Sequence, residues 1–331
     1  MKVEQIMLLR TPEGVPLESD FGLGHGELAS PAEGQALVRV IALSLDPYLR
    51  SAMAGRHLSG AIRPGEVVRG EGLVEVIESQ HPRMKAGEQW VALCGWRSAA
   101  LLDEAAVKAA RPVAAEVQPR TLALGGLGMP GLTAWAGFHK LCEAHAGETL
   151  VVSAASGAVG ATVGQLAHIA GCRVVGIAGS AEKCTWVTDV AGFDACIDYH
   201  ATDLRQALKA ACPGGVDIYF DNVGGDMLQA VTEQLAMHAR VVLCGLMASY
   251  NGAPAVGPNP GLWIKARATV RGLVVYDHWG EFDRMVAELG AHHRAGRLHF
   301  REDIAHGLAA APAAFNRLMR GQNQGKSVVV L

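Results

Sequence analysis

The chain lacks several features that would point to whole classes of protein. Its seven cysteines are scattered over 331 residues with no C-x-x-C pair, which predicts reduced thiols and argues against a disulfide framework or a four-cysteine zinc lobe. There is no block of lysine and arginine and the net charge is -3, so no basic stripe for nucleic acid or an acidic membrane surface is expected. No apolar run approaches the roughly 18 residues that a membrane-spanning helix needs.

The first residues also lack the pattern of a signal peptide. Residues 1–14 contain one lysine and a short apolar patch that runs directly into charged and turn residues. We therefore expect a cytoplasmic protein. A composition of 50% hydrophobic and 18% charged residues fits a folded globular chain, and 331 residues at about 150 per domain suggest two domains or one large one. The 40 glycines predict many tight turns.

The pattern of the chain changes near residue 126. Before it, short β-rich segments at 36–43, 72–78 and 89–93 lie between Gly/Pro turns, which predicts a barrel-like β domain with little helix. After it, apolar strands alternate with helical stretches, which is typical of βαβ units and a parallel sheet. The strands are predicted at 149–154, 173–178, 195–198, 217–221, 239–245 and 269–275, a helix at 281–293, and a terminal strand at 327–331 that returns to the first domain.

One of these strands leads into a candidate nucleotide site. Residues 149–154 run into Ala155-x-Gly157-x-x-Gly160, and residues 161–170 have a helical pattern. Small residues let the backbone approach a pyrophosphate, and the first N–H groups and the dipole of the helix favour its charge. Ala155 occupies the place of the first glycine of the usual fingerprint. An ordinary glycine-rich turn is the alternative, but the position among βαβ units favours a dinucleotide site.

The next strand indicates which dinucleotide binds. An NAD site carries an acidic residue about 20 residues after the first fingerprint position, where it binds the ribose 2′-hydroxyl. Residues 174–180 contain no acid, and Lys183 follows at the start of a helix with Ser180 as its N-cap. A cation and a hydroxyl suit a 2′-phosphate, which favours NADP. The alternatives are a Glu182 that binds the ribose of NAD and a Lys183 that is merely a solvated charge.

Seven short motifs in a fixed order resemble those of one family. They are L-D-P-Y-L-R at 45–50, G-M-P-G-L-T at 128–133, A-A-S-G-A-V-G at 154–160, F-D-N-V-G-G at 220–225, S-Y-N at 249–251, V-V-Y at 274–276 and Q-N-Q-G-K at 322–326. Over nearly its whole length the chain resembles the zinc-independent medium-chain dehydrogenases/reductases. Within them it is most similar to the group of prostaglandin reductase (leukotriene B4 12-hydroxydehydrogenase) and the plant double-bond reductases.

That resemblance implies both the fold and the cofactor. The fold class is α/β, with a Rossmann doubly wound parallel sheet at 126–299 and an N-terminal GroES-like β-barrel domain at 1–125 that residues 300–331 complete. The resemblance places Lys183 and Tyr199 at the 2′-phosphate of NADP (NADPH), and a phenol can donate a hydrogen bond to a phosphate. His200 follows this tyrosine where a more basic residue is expected. It lowers the expected strength of NADP binding but does not change the expectation that NADP binds. The cofactor contacts it implies are Pro130, Thr133, Ser156, Gly157, Ala158, Val159, Gly160, Gly179, Ser180, Lys183, Tyr199, Asn222, Cys244, Gly245, Ser249, Tyr250, Leu273, Val274, Val275 and Asn323.

No metal is expected to take part. Residues 68–73, V-R-G-E-G-L, stand where metal-dependent relatives carry a Gly-His-Glu segment after a Cys or His ligand. A catalytic zinc needs about three protein ligands, and His292 and His293 would diverge from a helix. Without such a Lewis acid, alcohol oxidation loses the usual activation of the hydroxyl.

Two tyrosines are candidate catalytic residues. Hydride addition to the β-carbon of an α,β-unsaturated carbonyl creates an enolate, whose oxygen needs a hydrogen-bond donor and whose α-carbon needs a proton. Tyr250 follows the fifth parallel strand, beside the Pro-rich loop 251–260, and Tyr48 lies in the D-P-Y turn of the first domain. For each, the alternative is an amphipathic residue at a domain interface. Candidate substrate walls, equally compatible with core packing, are Trp96, Met129, Trp263 and Tyr276.

These observations predict an NADPH-dependent reductase of alkenals and alkenones. It is expected to act as a homodimer on a small unsaturated carbonyl, without nucleic-acid or membrane partners. The first alternative is an NADPH quinone oxidoreductase, which would share the cofactor site. The second is an NADPH-binding sensor or structural protein without turnover. The motifs at 45–48 and 249–251 favour the double-bond reductase.

Overall fold

The structure is a computed structural model that describes residues 1–254 and 257–331. Its strands are β1 Lys2–Leu8, β2 Phe21–Glu27, β3 Ala36–Ser44, β4 Glu71–Ser79, β5 Gln89–Leu93, β6 Ala99–Leu102, β7 Arg111–Pro112, β8 Thr149–Ser153, β9 Arg173–Ala178, β10 Ala195–Asp198, β11 Val216–Asp221, β12 Leu235–Leu243, β13 Thr269–Gly272, β14 Glu302–His306 and β15 Lys326–Val330. Its α-helices are α1 Tyr48–Met53, α2 Glu104–Ala109, α3 Met129–Ala136, α4 Ala158–Ile169, α5 Ala181–Asp189, α6 Leu204–Ala211, α7 Gly225–Thr232, α8 Met247–Tyr250, α9 Pro260–Ala266, α10 Phe282–Arg294 and α11 Ala311–Met319.

The chain divides into two compact units. The first comprises Met1–Gly125 and Glu302–Leu331, and the second comprises Gly126–Arg301. In the part of the chain that the structure describes, no helix is both long and apolar enough to cross a membrane.

The first unit is mostly antiparallel β structure. β1 pairs with β2, and the main sheet has the order β14-β15-β3-β4-β5-β7, with β6 also paired to β3. Seven of the nine residues of β3 are buried, in keeping with its mostly apolar sequence, and the one exposed residue is Arg39. The terminal strand predicted from the sequence is β15, which pairs antiparallel with β3 and parallel with β14.

Trp96 belongs to the core of this unit. Its side chain is fully buried, and its ring stacks on Phe21 at 5.8 Å between centroids and meets Phe315 edge-on at 5.6 Å. Of the two roles left open for Trp96, the structure supports core packing, because aromatic neighbours enclose the indole. Met129, Trp263 and Tyr276 are half-buried or exposed, and their role in a substrate wall stays a prediction.

The second unit is a six-stranded parallel sheet in the order β10-β9-β8-β11-β12-β13. From its first strand β8, the chain proceeds to one edge and then returns to build the other half, so the order reverses between β8 and β11. This is the doubly wound order, and the predicted fold class is confirmed. Every residue of β8 after Thr149 is buried, in keeping with a strand covered on both faces.

The bounds of several elements differ from the predicted ones. β9 and β10 have the predicted bounds, but β12 begins four residues earlier than predicted and β13 ends at Gly272, three residues early. A 3-10 segment at Val275–Glu281 follows β13 and leads into α10. The sequence did not predict α1, α2, β14 or α11; the first two are single short helices of six residues, too brief to show a helical period.

Candidate active site

The turn between β8 and α4 has the backbone shape of an anion site. Gly157 is the N-cap of α4, and no described side chain caps this end of the helix, so its first N–H groups are not taken up by a side-chain cap. A Cβ at Gly160 would lie only 2.4 Å from the carbonyl oxygen of Ala154, so glycine is needed for the helix to approach the strand this closely. Ala154 itself has a φ of 50°, a left-handed conformation that is costly for alanine. These features fit a bound pyrophosphate.

The start of α5 has the predicted cap. The Ser180 hydroxyl oxygen accepts a hydrogen bond from the Lys183 backbone N–H at 3.3 Å. Lys183 is buried, so the solvated alternative is wrong. The Glu182 carboxylate pairs with Arg301 at 3.0 Å, which disfavours the alternative that it binds an NAD ribose.

Tyr199 lies at the carboxyl ends of β9 and β10. A Cβ at Gly179 would be 3.3 Å from the Tyr199 hydroxyl oxygen, so the ring covers this glycine, and the His200 ring lies 4.1 Å away. Burial raises the pKa of the Tyr199 phenol and Asp198 raises it further, so the phenol keeps its proton and can donate to an anion. Gly179, Ser180, Lys183 and Tyr199 therefore occupy neighbouring strand ends, where a ribose phosphate would be held. Their contact with it stays a prediction.

The strand order reverses between β8 and β11, and we call this place the switch point. On its other side, Tyr250 lies beside the ends of β11 and β12. A Cβ at Gly245 would be 2.9 Å from the Asn222 carbonyl oxygen and 3.6 Å from the Tyr250 hydroxyl oxygen. The Leu246 backbone N–H donates to that hydroxyl at 3.5 Å, and the Ser249 hydroxyl donates to the Leu246 carbonyl at 3.2 Å. Burial raises the pKa of the Tyr250 phenol, which therefore remains a proton donor at neutral pH.

Sequence reasoning missed the group that joins these strand ends. The Asp221 carboxylate, at the end of β11, is fully buried and accepts hydrogen bonds from Ser153 and Tyr219 hydroxyls at 3.0 and 2.8 Å. It also accepts from the backbone N–H groups of Val223 and Gly224. The signal was present, because Ser153 and Asp221 are polar residues at the ends of two apolar strands.

The same network holds Asn222. Its backbone N–H donates to the Ser153 hydroxyl and its side-chain amide donates to the Ser153 carbonyl, both at 2.8 Å. Because Ser153 directly precedes the anion turn, Asn222 and that turn are held against each other across the switch point.

Comparisons with known proteins agree with this arrangement. The family described as "N-terminal domain of oxidoreductase" matches residues 4–110, and the family described as "Zinc-binding dehydrogenase" matches residues 158–291. The chain is 40% identical to the NADPH-dependent curcumin reductase of Escherichia coli, over 98% of this chain and 95% of that protein. It is 36% identical to the 2-alkenal reductase (NADP(+)-dependent) of Nicotiana tabacum, over 99% and 97%.

The chain also matches solved structures over nearly its whole length. The structure of CurA in complex with NADPH from Vibrio vulnificus has a TM-score of 0.93 at 37% identity, over 99% of this chain and 98% of that one. The chain belongs to the zinc-independent medium-chain dehydrogenases/reductases. The Escherichia coli quinone oxidoreductase complexed with NADPH, at 20% identity and a TM-score of 0.81 over 99% and 100%, shows that this reductase shares its fold.

Other residues that were predicted to contact the cofactor lie in the segment that follows β13 and on α3. Leu273 follows β13 and its N–H donates to the Leu243 carbonyl at 2.9 Å, which places 273–275 beside the end of β12. Pro130 and Thr133 lie on α3, where the Thr133 hydroxyl donates to the Met129 carbonyl. The roles of these residues toward NADP stay predictions.

Two of the predicted residues belong to the first unit. Asn323 precedes β15, and its side-chain amide donates to the Gly325 carbonyl at 2.7 Å. Tyr48 was expected in a turn but is the first residue of α1, because Pro47 at the N-cap already has a helical backbone. The Pro-rich loop predicted at 251–260 includes residues 255 and 256, which lie outside the described residues.

The residues of this medium-chain reductase show no candidate metal centre in the ranges 1–254 and 257–331. No group of three or more His, Cys, Asp or Glu side chains there is arranged to hold a metal ion. His292 and His293 both lie on α10 but have different partners: the His292 ring accepts from Arg297, and the His293 ring contacts the Leu298 carbonyl.

Proposed function

We propose that this reductase uses NADPH to reduce the C=C bond of α,β-unsaturated aldehydes and ketones. The observation that carries the proposal is the position of the protonated Tyr250 phenol, beside Asn222 at the carboxyl ends of β11 and β12. Parallel α/β sheets bind their ligands at this edge. The names of the relatives agree, since they are reductases of curcumin and of 2-alkenals that use NADPH or NADP+.

Different residues of this chain bind different parts of the cofactor. The first N–H groups of α4 hold the pyrophosphate, and Lys183 and Tyr199 hold the 2′-phosphate. Bound NADPH supplies a hydride. Asn222 and the segments 244–250 and 273–275 orient the nicotinamide half, so that the substrate lies beside Tyr250.

Tyr250 then acts on the substrate. Its phenol donates a hydrogen bond to the carbonyl oxygen as negative charge develops there, directly or through the ribose hydroxyl network. A donor placed at a developing oxyanion lowers the barrier because it costs no reorganisation during the reaction. The same phenol gives its proton to the α-carbon, and the phenolate that remains regains a proton from solvent.

The proposal is tested by following NADPH consumption with a panel of enals, enones and quinones, and by identifying the products. We expect saturated aldehydes and ketones from the enals and enones. Turnover of quinones alone would assign the protein to the quinone oxidoreductases. Tight NADPH binding without oxidation by any member of the panel would indicate a sensor or structural protein.

We also propose that the protein is a homodimer. The support is that β13 is an edge strand of the six-stranded sheet, with exposed apolar side chains nearby at Met237 and Ile264. An unpaired edge with apolar neighbours is suited to pairing with a second copy. Sedimentation equilibrium should give twice the chain mass, and a single-chain mass at micromolar concentration would contradict this. The cytoplasmic location stays a prediction.

A further inference from the structure

Asp221 is a buried carboxyl group that has no positively charged partner among the described residues. It accepts hydrogen bonds from two hydroxyls and two backbone N–H groups at 2.8 to 3.1 Å. Among residues 1–254 and 257–331, no Lys, Arg or His forms an ion pair with it. Neutral donors stabilise the carboxylate but do not cancel its charge, and a low-dielectric interior screens that charge poorly.

The place of this charge in the sheet is informative. Asp221 ends β11, the first strand on the nicotinamide side of the switch point, and it is joined through Ser153 to the end of β8. Its own carbonyl oxygen accepts from the N–H groups of Cys244 and Gly245, which begin the segment that leads to Tyr250. The carboxylate therefore lies beneath the strand ends assigned to the nicotinamide half.

The field of the carboxylate reaches those strand ends. Burial raises the pKa of the Cys244 thiol to about 12, and Asp221 contributes to this increase. The pKa of Tyr219 is raised well above its usual value, by burial first and by Asp221 second. Burial disfavours charge of either sign, so only the part of each pKa shift that Asp221 causes reports its field, which opposes negative charge and favours positive charge.

The two redox states of the cofactor differ in that charge. The nicotinamide ring is neutral in NADPH and carries one positive charge in NADP+, whereas the phosphates are the same in both. Hydride transfer to the β-carbon breaks the C=C π bond, the α-carbon takes up a proton, and the positive charge appears on the ring. A fixed negative charge at the strand ends proposed to hold the ring would favour the oxidised state.

We propose that Asp221 strengthens the binding of NADP+ relative to NADPH and so makes the bound cofactor a stronger reductant. This inference rests on the proposed function, because it requires that NADPH is the cofactor. We expect a change of about five-fold in the binding ratio, because at an effective dielectric constant of about 20 a unit charge still acts on another charge beyond direct contact.

The test measures the Kd of NADP+ and of NADPH for the substrate-free protein by calorimetry. In Asp221→Asn, which keeps the shape and an acceptor oxygen, the ratio Kd(NADP+)/Kd(NADPH) should rise by about five-fold. The matched control is Tyr219→Phe, which removes a donor from the carboxylate but keeps its charge. Because the hydroxyl dipole that screens part of the field of the carboxylate is then absent, the ratio should fall.

Each outcome has a definite meaning. An unchanged ratio in Asp221→Asn, or a rise in both variants, overturns the inference, because the second result would indicate a general loosening of the loops. If Asp221→Asn does not fold, Tyr219→Phe decides: a lower ratio supports the inference, and an unchanged or higher one overturns it. A protein that binds neither dinucleotide contradicts the proposed function itself, and the inference fails with it.

Discussion

At the scale of single residues, the two candidate tyrosines have different surroundings. Tyr250 ends α8, and its hydroxyl oxygen accepts from the Leu246 N–H at the edge where the dinucleotide turn lies. Tyr48 begins α1, and its ring lies 4.7 Å from the ring of His57. Burial, with a smaller effect of Arg69, lowers the pKa of His57, so this neighbour is uncharged at neutral pH. Tyr250 therefore stays our prediction for the donor.

Tyr250→Phe should lower enone turnover by about ten-fold or more with NADPH affinity little changed, because the ring and its packing remain and only the hydroxyl is lost. One donor aimed at an oxyanion is worth about 2.7–4 kcal/mol, and water that replaces the phenol would reduce the loss. Steady-state kinetics and an NADPH titration measure the two effects. Tyr48→Phe is the matched comparison, and full activity in Tyr250→Phe with slow turnover in Tyr48→Phe would move the role to Tyr48.

Glu302 is a half-buried acid with an incomplete set of hydrogen bonds. One carboxyl oxygen accepts from the Thr121 hydroxyl at 2.8 Å, and the other is buried with no partner among the described residues. Burial raises the pKa of Glu302, although Thr121 and Lys326 oppose the increase. The protonated form thus stabilises the fold below the unfolded-state pKa of about 4.3, and this contribution is lost as the pH rises through the higher folded-state value.

Glu302→Gln should therefore be more stable than the unmutated protein at pH 7, because the amide is neutral at every pH. Near pH 4 the two proteins should unfold at similar urea concentrations. Urea unfolding at both pH values measures the difference, with the exposed Glu78→Gln as control. A variant that is less stable at pH 7 would show that the ionised carboxylate is well accommodated.

At the scale of elements, α4 and α5 begin at adjacent strand ends but differ in how they begin. The N-cap of α4 is Gly157, which has no side chain to bond the first N–H groups, so these groups can bind an anion. The N-cap of α5 is Ser180, whose side chain accepts a hydrogen bond from the first turn. The cap fixes the first turn of α5, and with it the place of Lys183. This is a local effect, which is why the sequence was sufficient to predict it.

Lys183→Ala should weaken NADPH binding far more than NADH binding, because only NADPH carries the 2′-phosphate. Fluorescence titration with both cofactors measures this, and Thr185→Ala, an exposed change on the same helix, is the control. Equal affinities of the unmutated protein for NADPH and NADH would contradict the assignment of this pocket to a phosphate.

At the scale of the whole molecule, the C-terminal strand β15 and residues 44–46 meet in the first unit. Lys326, at the start of β15, is buried and its ammonium donates to the Leu45 carbonyl and to Asp46, both at 2.7 Å. The Ser44 hydroxyl donates to the other oxygen of Asp46. The C-terminal strand is thereby tied to the segment that leads into Tyr48.

Lys326→Met should destabilise the protein by about 3–5 kcal/mol, because it leaves the Asp46 carboxylate buried without its cation. The midpoint of urea unfolding measures the loss, and the exposed Lys85→Met, in the same unit, should change little. Equal stability of the two variants would mean that water replaces the ammonium at Asp46.

Exhaustive chelation should leave turnover of enones unchanged. The reason is that the described residues provide no group of three metal-ligating side chains. Elemental analysis before and after chelation, with activity measured on both samples, checks this. Stoichiometric zinc whose removal abolishes activity would contradict the expectation.

The sequence by itself determined the features that depend on neighbours along the chain. The strand, small-residue turn and helix at 149–169, the Ser180 cap and the lack of an acid within residues 174–180 each depend on a few neighbouring residues, so periodicity and turn chemistry predict them. Only the tertiary structure decided the polar networks. Ser153 and Asp221 are 68 residues apart, and Asp46 and Lys326 are 280 apart. Such pairs leave no periodic pattern, because sheet order and burial bring them together.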